Sequence, residues 1–160
     1  MSKLILLLMC SFASLTLVGC SEQFVDQPQR TEKIKIAVLK ELITNNFSSM
    51  RSHASGYCIG TKSQTGYNDP EQVLLDSFAT YKPILLPYSA CQVDKVVHIK
   101  ATGREAIFFH LSEPLCDRHL NCTIRAGYYE GNMSSQENLY NVRQINGRWV
   151  ASLVSLGPVS

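Results

Sequence analysis

The chain has 160 residues, of which 45% are hydrophobic and 18% charged, with 15 Lys and Arg against 13 Asp and Glu. This composition is typical of a globular protein, and it excludes a low-complexity or repeat protein. The charges nearly balance and no long run of like charge occurs, so neither nucleic acid nor an anionic surface is indicated as a partner.

Residues 1–19 have the order of a secretory signal. Lys3 supplies a basic start, and an apolar stretch from Leu4 to Leu17 follows it. A transmembrane helix is the alternative, but this stretch is shorter than the roughly 20 residues that cross a bilayer. The order therefore predicts a signal peptide that is removed from the mature protein.

The end of this segment, Leu17-Val18-Gly19-Cys20, resembles the lipobox of bacterial lipoproteins. An ordinary signal peptide would not require a cysteine there. The resemblance implies that Cys20 becomes the first mature residue and carries three acyl chains, palmitate among them, that anchor the protein in a membrane. Each buried methylene contributes about 0.8 kcal/mol, so several chains anchor stably. Ser21, in place of the aspartate typical of inner-membrane retention, implies the outer membrane, facing the periplasm.

Residues 21–31 are polar and contain Pro28, which predicts a flexible tether after Cys20. Thr31 then offers an N-cap for an amphipathic helix of about 18 residues. The apolar residues of this helix recur at helical spacing: Ile34, Val38, Leu39, Leu42, Ile43, Phe47 and Met50. An apolar stripe of this kind is more typical of core packing than of membrane contact.

A short strand is predicted from Ser55 to Thr61, and a polar loop over residues 62–68. Asp69-Pro70-Glu71 then has the features of a helix start, because an acidic cap precedes a proline in the first turn. This second helix is expected to continue to about Tyr81.

Period-two alternation begins at Val93 and predicts four or five strands. The last two are joined by Asn146-Gly147, the strongest hairpin signal in the chain. The sequence thus predicts one α+β domain, residues 32–160, with a long N-terminal helix and a second short helix packed on a curved antiparallel sheet of four to five strands. The predicted strands are residues 93–100, 106–112, 123–130, 139–145 and 148–154, and a loop over 101–105 joins the first two.

The C-terminal part, with Gly127-Tyr128-Tyr129-Glu130-Gly131, Tyr140-Asn141-Val142 and Gly147-Arg148-Trp149, is similar to small exported domains of unassigned function. Those domains resemble cystatin-like or NTF2-like folds. The resemblance covers the last strands and implies a shape, not an activity, since such folds host enzymes, binders and inhibitors.

Four cysteines follow Cys20 in the mature chain: Cys58, Cys91, Cys116 and Cys122. The periplasm is oxidising, so two disulfides are expected. Three pairings are open, of which Cys58–Cys91 and Cys116–Cys122 are favoured. A zinc site is the alternative, because His119 lies between the last two cysteines, but the spacing is not that of paired zinc ligands.

His98 and His110 fall on consecutive predicted strands and are candidates for a cross-strand pair that faces a ligand. Tyr129 and Tyr140 are candidates for the wall of a concave ligand site. The structural alternatives are polar residues on an outer sheet face and ordinary cross-strand packing. No nucleophile elbow, phosphate loop or metal-binding motif occurs in the sequence, so no catalytic residue, metal or cofactor is predicted.

The function expected from these features is a lipid-anchored protein of the bacterial cell envelope, whose non-catalytic domain binds a protein or an envelope component. Two alternatives stay open. One is a periplasmic immunity or inhibitor protein that binds a toxin; the other is a small enzyme that uses His98 or His110.

Overall fold

The computed structural model describes residues 27–131 and 134–159. The predicted signal peptide, the predicted lipidation site Cys20 and residues 21–26 of the predicted tether lie outside these ranges. Within them, no helix is both long enough and apolar enough to span a membrane.

Two helices and ten strands form the described chain, together with 3₁₀ turns at Ser49–Ser52 and Tyr88–Ala90. The helices are α1 (Gln27–Asn45) and α2 (Gln72–Asp76). The strands are β1 (Gly56–Ser63), β2 (Gly66–Asn68), β3 (Ile84–Pro87), β4 (Cys91–Val93), β5 (Val97–Ile99), β6 (Ile107–Leu111), β7 (Leu115–Cys116), β8 (Cys122–Gly131), β9 (Ser134–Ile145) and β10 (Arg148–Ser155).

The main sheet has eight strands, in the order β10-β9-β8-β6-β1-β2, with β3 beside β1 and β7 beside β8. The strand β1 runs parallel to both β3 and β6, whereas the other pairs of this sheet are antiparallel. The strands β4 and β5 form a separate hairpin. The α+β class is confirmed, but the prediction of four to five antiparallel strands is corrected to a larger mixed sheet. The larger sheet was not predicted because pairing between segments far apart in the chain leaves no local pattern in the sequence.

The helix α1 packs across one face of the sheet, called here the inner face, against strands β6 and β8 to β10. The apolar stripe from Ile34 to Ile43 is buried there, as the spacing predicts. It meets the inward residues of the strands, including Ile59, Phe109 and Tyr128. Leu74 of α2 and Phe78 close the same core.

The opposite, outer face carries a smaller apolar cluster under the β4–β5 hairpin. Cys58 of β1 is bonded to Cys91 of β4, and this disulfide lies beside Phe108 in the cluster. The second disulfide joins Cys116 to Cys122. Both favoured pairings are therefore confirmed, and the zinc alternative loses its thiol ligands.

The predicted start of the long helix is wrong. Residues 27–31, assigned to the tether, are the first residues of α1, and Thr31 lies inside the helix. Pro28 is compatible with this position, because a helix's first turn does not need the proline N–H. The helix ends at Asn45, so Phe47 and Met50 lie beyond it, and Phe47 is exposed.

The second helix is shorter than predicted. Asp69 does not cap it, since its carboxylate accepts hydrogen bonds from the backbone N–H and the hydroxyl of Ser89 at 2.7 and 2.6 Å. The helix ends at Asp76, and single turns continue the chain to Tyr81.

The predicted hairpin over residues 93–112 is corrected as well. The strand β5 pairs with β4, and its link to the next segment is one bridge between His98 and Glu105. By contrast, Asn146 and Gly147 have φ angles of 50° and 75° and join β9 to β10, which confirms the predicted turn.

Candidate functional site

His110 lies at the centre of the outer face, on β6. Its neighbours on the two adjacent strands are both glycines, Gly60 of β1 and Gly127 of β8. Successive strand residues point to opposite faces, so Phe108 shares the outer face with His110 while Phe109 lies in the main core. The imidazole thus lies in a trough between two positions that carry no side chain.

The two glycines are required by close packing. A Cβ at Gly127 would lie 2.9 Å from Nε2 of His110 and 2.8 Å from Cα of Glu137, and would overlap the carbonyl oxygen of Gln136. A Cβ at Gly60 would lie 2.9 Å from the ring of Phe108. Glycine at these positions therefore lets the imidazole lie low against the sheet.

Glu137 forms a polar end of the trough. It lies on β9, opposite Gly127, so its side chain approaches His110 over the glycine. Its Oε2 is 3.9 Å from Nδ1 of His110 and 3.6 Å from Nζ of Lys62, and its Oε1 is 3.8 Å from Nη1 of Arg125. One carboxylate is thus shared by two cations and an imidazole.

Aromatic rings form the other end. The ring of Tyr67 packs edge-on against Phe108 at 4.9 Å and lies 5.6 Å from the imidazole of His110. Tyr88 supports both Tyr67 and Phe108, at 5.8 and 5.4 Å. Tyr129 is fixed because its hydroxyl donates a hydrogen bond to the carbonyl of Asp94 at 2.7 Å. These contacts hold Tyr67 and Tyr129 half-buried in defined orientations.

Together these groups line an open cavity of about 530 Å³, called here the His110 basin. Such a volume lies within the roughly 300–1,000 Å³ usual for small-ligand sites. The basin is lined by Tyr67, Phe108, His110, Tyr129, Glu137 and the chain segment 93–95, with Ser135 and Gln136 beside them.

His110 is neutral at physiological pH. Burial lowers its pKa to about 4, although the carboxylate of Glu137 raises it, and the ammonium of Lys62 lowers it further. Its Nδ1 is buried and has no hydrogen-bond partner in the described part of the chain. A buried polar atom of this kind is uncommon in native structures, and a bound water or ligand is one explanation of it.

Residues 27–131 and 134–159 contain no cluster of His, Cys, Asp and Glu with the geometry of a metal site. The chemical groups that the basin offers are an imidazole, the carboxylates of Glu137 and Asp94, the ammonium of Lys95 and flat aromatic faces. This set can bind a ligand through hydrogen bonds and stacking.

The predicted site residues separate into two groups. His110 and Tyr129 line the basin, and that they face a ligand stays a prediction. Tyr140 is corrected: it is 3% exposed and belongs to the main core. It pairs with Ile124 on β8, and both point to the inner face. His98 is corrected too, because it lies on the β4–β5 hairpin opposite Gln92 and not beside His110.

The sequence does not point to Tyr67 or Glu137 as site residues. Tyr67 lies in a segment that the sequence predicts as a loop, and Glu137 lies between the strands predicted over 123–130 and 139–145. The alternation of β9 back from Tyr140 would place Glu137 on the outer face, but only the strand order brings it near His110.

No protein-family profile, no curated protein and no solved structure matches this chain.

Proposed function

We propose that this chain is a lipid-anchored protein of the bacterial cell envelope, whose domain binds an envelope component without catalysing a reaction. The observation that carries the proposal is the His110 basin, which combines fixed aromatic rings with a buried imidazole nitrogen that lacks a hydrogen-bond partner among the described residues.

Other features support the proposed location. The lipobox ending at Cys20 supports an anchor, with the outer membrane favoured by Ser21. The two disulfides support export, since disulfides persist in oxidising compartments such as the periplasm. An anchored domain of this kind meets its partner in the envelope.

The anchor is tested by growth with labelled palmitate. The full chain should take up the label and be recovered with membranes. The Cys20→Ser variant should take up no label and should not be recovered with membranes. A wild-type chain that takes up no label and fractionates like the Cys20→Ser variant overturns the anchor.

The binding role is tested by chemical cross-linking of the full chain in intact cells of its host. Glu137→Gln removes the negative charge beside His110, and Glu71→Gln is the matched control, because Glu71 is exposed outside the basin. Cross-linked products should be lost in the first variant and kept in the second. Identical products from both variants overturn the basin as the binding site.

A further inference from the structure

The ligand of the His110 basin is defined more closely by the groups that line it. We infer that the basin binds an uncharged saccharide unit, an inference that rests on the proposed function. The hydroxyl groups of the sugar would bond to Glu137 and His110, and the apolar face of its ring would pack on Tyr67 and Tyr129.

The first step is the unmet hydrogen bond at the floor. Nδ1 of His110 has no partner in the described ranges, and Oε2 of Glu137 lies 3.9 Å from it, beyond hydrogen-bond distance. Leaving such a polar atom buried and unpaired costs about 1–3 kcal/mol. A small rotation of the imidazole that brings Nδ1 to the basin lets one hydroxyl satisfy both groups, because the hydroxyl can donate to the carboxylate while its oxygen accepts from Nδ1–H.

The second step is the availability of Glu137. Lys62 and Arg125 approach its oxygens to 3.6 and 3.8 Å, which is long for a hydrogen bond of about 2.9 Å. These cations hold the carboxylate in place, while its lone pairs stay open to a donor. Hydrogen bonds to a charged acceptor are the stronger ones, so this group is suited to bind a hydroxyl.

The third step concerns the charge of the ligand. The carboxylate of Glu137 is already shared by Lys62 and Arg125, and Asp94 and Lys95 add one charge of each sign to the wall of the basin. A neutral His110 adds no charge of its own. Charges of both signs therefore face the ligand, and the arrangement favours a ligand without net charge.

The fourth step excludes a purely apolar ligand. Such a molecule could cover Tyr67 and Phe108, but it would remove water from the carboxylate of Glu137 and leave Nδ1 of His110 without a hydrogen-bond partner, at a cost that opposes the gain. A sugar ring has a hydroxyl-bearing edge and a face of C–H groups. It can place the edge over the polar end of the basin and the face on the half-buried tyrosine rings.

The inference is tested by NMR titration of the isotope-labelled full chain, lacking only its signal peptide and with Cys20→Ser. The probes are N,N′,N″-triacetylchitotriose, an uncharged sugar called chitotriose below, and maltotriose. We expect saturable shifts of the amides of residues 108–110, 127–129 and 135–137. Shifts confined to other parts of the chain, or no shifts with either probe, overturn the inference.

Two pairs of variants locate the binding. Glu137→Gln should weaken chitotriose binding about ten-fold, as expected for one lost hydrogen bond to a charged group, and Glu71→Gln should not. Tyr67→Leu keeps apolar bulk but removes the flat face, and it should weaken binding, whereas Tyr81→Leu, outside the basin, should not. Binding that is equal in Glu137→Gln and wild type overturns the inference.

The neutral apolar probe N-phenyl-1-naphthylamine separates this inference from the proposed function. If this probe shifts the basin amides and the sugars do not, the saccharide class is wrong while the basin stays a ligand site. If the sugars fail and cross-linking in cells is also unaffected by Glu137→Gln, both proposals fail.

Discussion

His110 has 8% of its surface exposed and lies between the ring of Phe108 and the carboxylate of Glu137. In the unfolded chain its pKa is near 6.5, and in the fold burial lowers it to about 4. The unfolded state therefore binds the proton more readily between these pH values. The folded state is favoured fully above pH 6.5, and this contribution is lost as the pH falls towards 4.

The first prediction concerns this pH dependence. Urea unfolding should show that wild type loses about 2 kcal/mol between pH 8 and pH 5 through His110 alone. His110→Asn should lack this part of the loss, since asparagine does not titrate. His53→Asn is the control, because His53 is exposed, and it should follow wild type.

A direct measurement decides the same point. The imidazole signals of His110 should titrate far below those of an ordinary histidine in an NMR pH series. A midpoint near 6.5 would mean that the side chain is hydrated, and the account of the basin floor would be wrong.

At the scale of elements, the carboxylate of Glu130 joins β8 to the turn that follows α1. It accepts hydrogen bonds from the hydroxyls of Ser48 and Ser49, the latter at 2.8 Å, and from the N–H of Met50 at 3.1 Å. Burial raises the pKa of Glu130, but hydrogen bonds from Ser134, Ser48, Ser49 and Met50 outweigh it and hold the pKa below its ordinary value of 4.5.

The second prediction follows from these bonds. Glu130→Gln should lower the free energy of unfolding by about 2 kcal/mol at pH 7, because a charged acceptor of several hydrogen bonds is lost. The pKa is lowered in the fold, so the stabilisation is present above pH 4.5 and is lost as the pH falls through the folded-state value.

Urea unfolding at pH 7 and pH 3 checks it. The difference between wild type and Glu130→Gln should shrink at the lower pH, whereas Glu105→Gln, at an exposed position, should be close to wild type at both. A difference that is unchanged at pH 3 would show that the charge of Glu130 is not what holds the turn.

Elements whose signals are local were predictable from the sequence. Asn146-Gly147 specifies a turn with both residues at positive φ, and the chain order makes β9 and β10 partners. The stripe from Ile34 to Ile43 likewise sets the buried face of α1.

Elements that depend on distant partners were not predictable. Asp69 has the pattern of a helix cap, but its carboxylate bonds Ser89, which lies 20 residues further along the chain. The basin depends on the same kind of information. His110 could be picked out as a candidate, but only the parallel pairing of β1 with β6 brings Gly60 beside it, and only the β6-β8-β9 order brings Glu137 over Gly127.

At the scale of the whole molecule, the two faces of the sheet are held in different ways. The inner face has a helix and a large continuous core. The outer face has only a small cluster under the β4–β5 hairpin, and the bond from Cys58 to Cys91 ties that hairpin to the central strand β1. The hairpin also carries Val93 and the adjoining Asp94 and Lys95, which form one wall of the basin.

The last prediction compares the two disulfides. Cys58–Cys91 spans 33 residues and Cys116–Cys122 spans 6. By loop entropy their removal as paired alanine variants should cost about 4 and about 2 kcal/mol respectively.

Cys116 is exposed at the sheet end and lies outside the basin lining, so its loss should leave ligand binding intact. Loss of Cys58–Cys91 frees the wall of the basin and should abolish chitotriose binding in the fraction that stays folded. Urea unfolding and the NMR titration measure the two effects. If the variant without Cys58–Cys91 bound as wild type does, the outer-face cluster would hold the hairpin unaided, and the disulfide would contribute to stability alone.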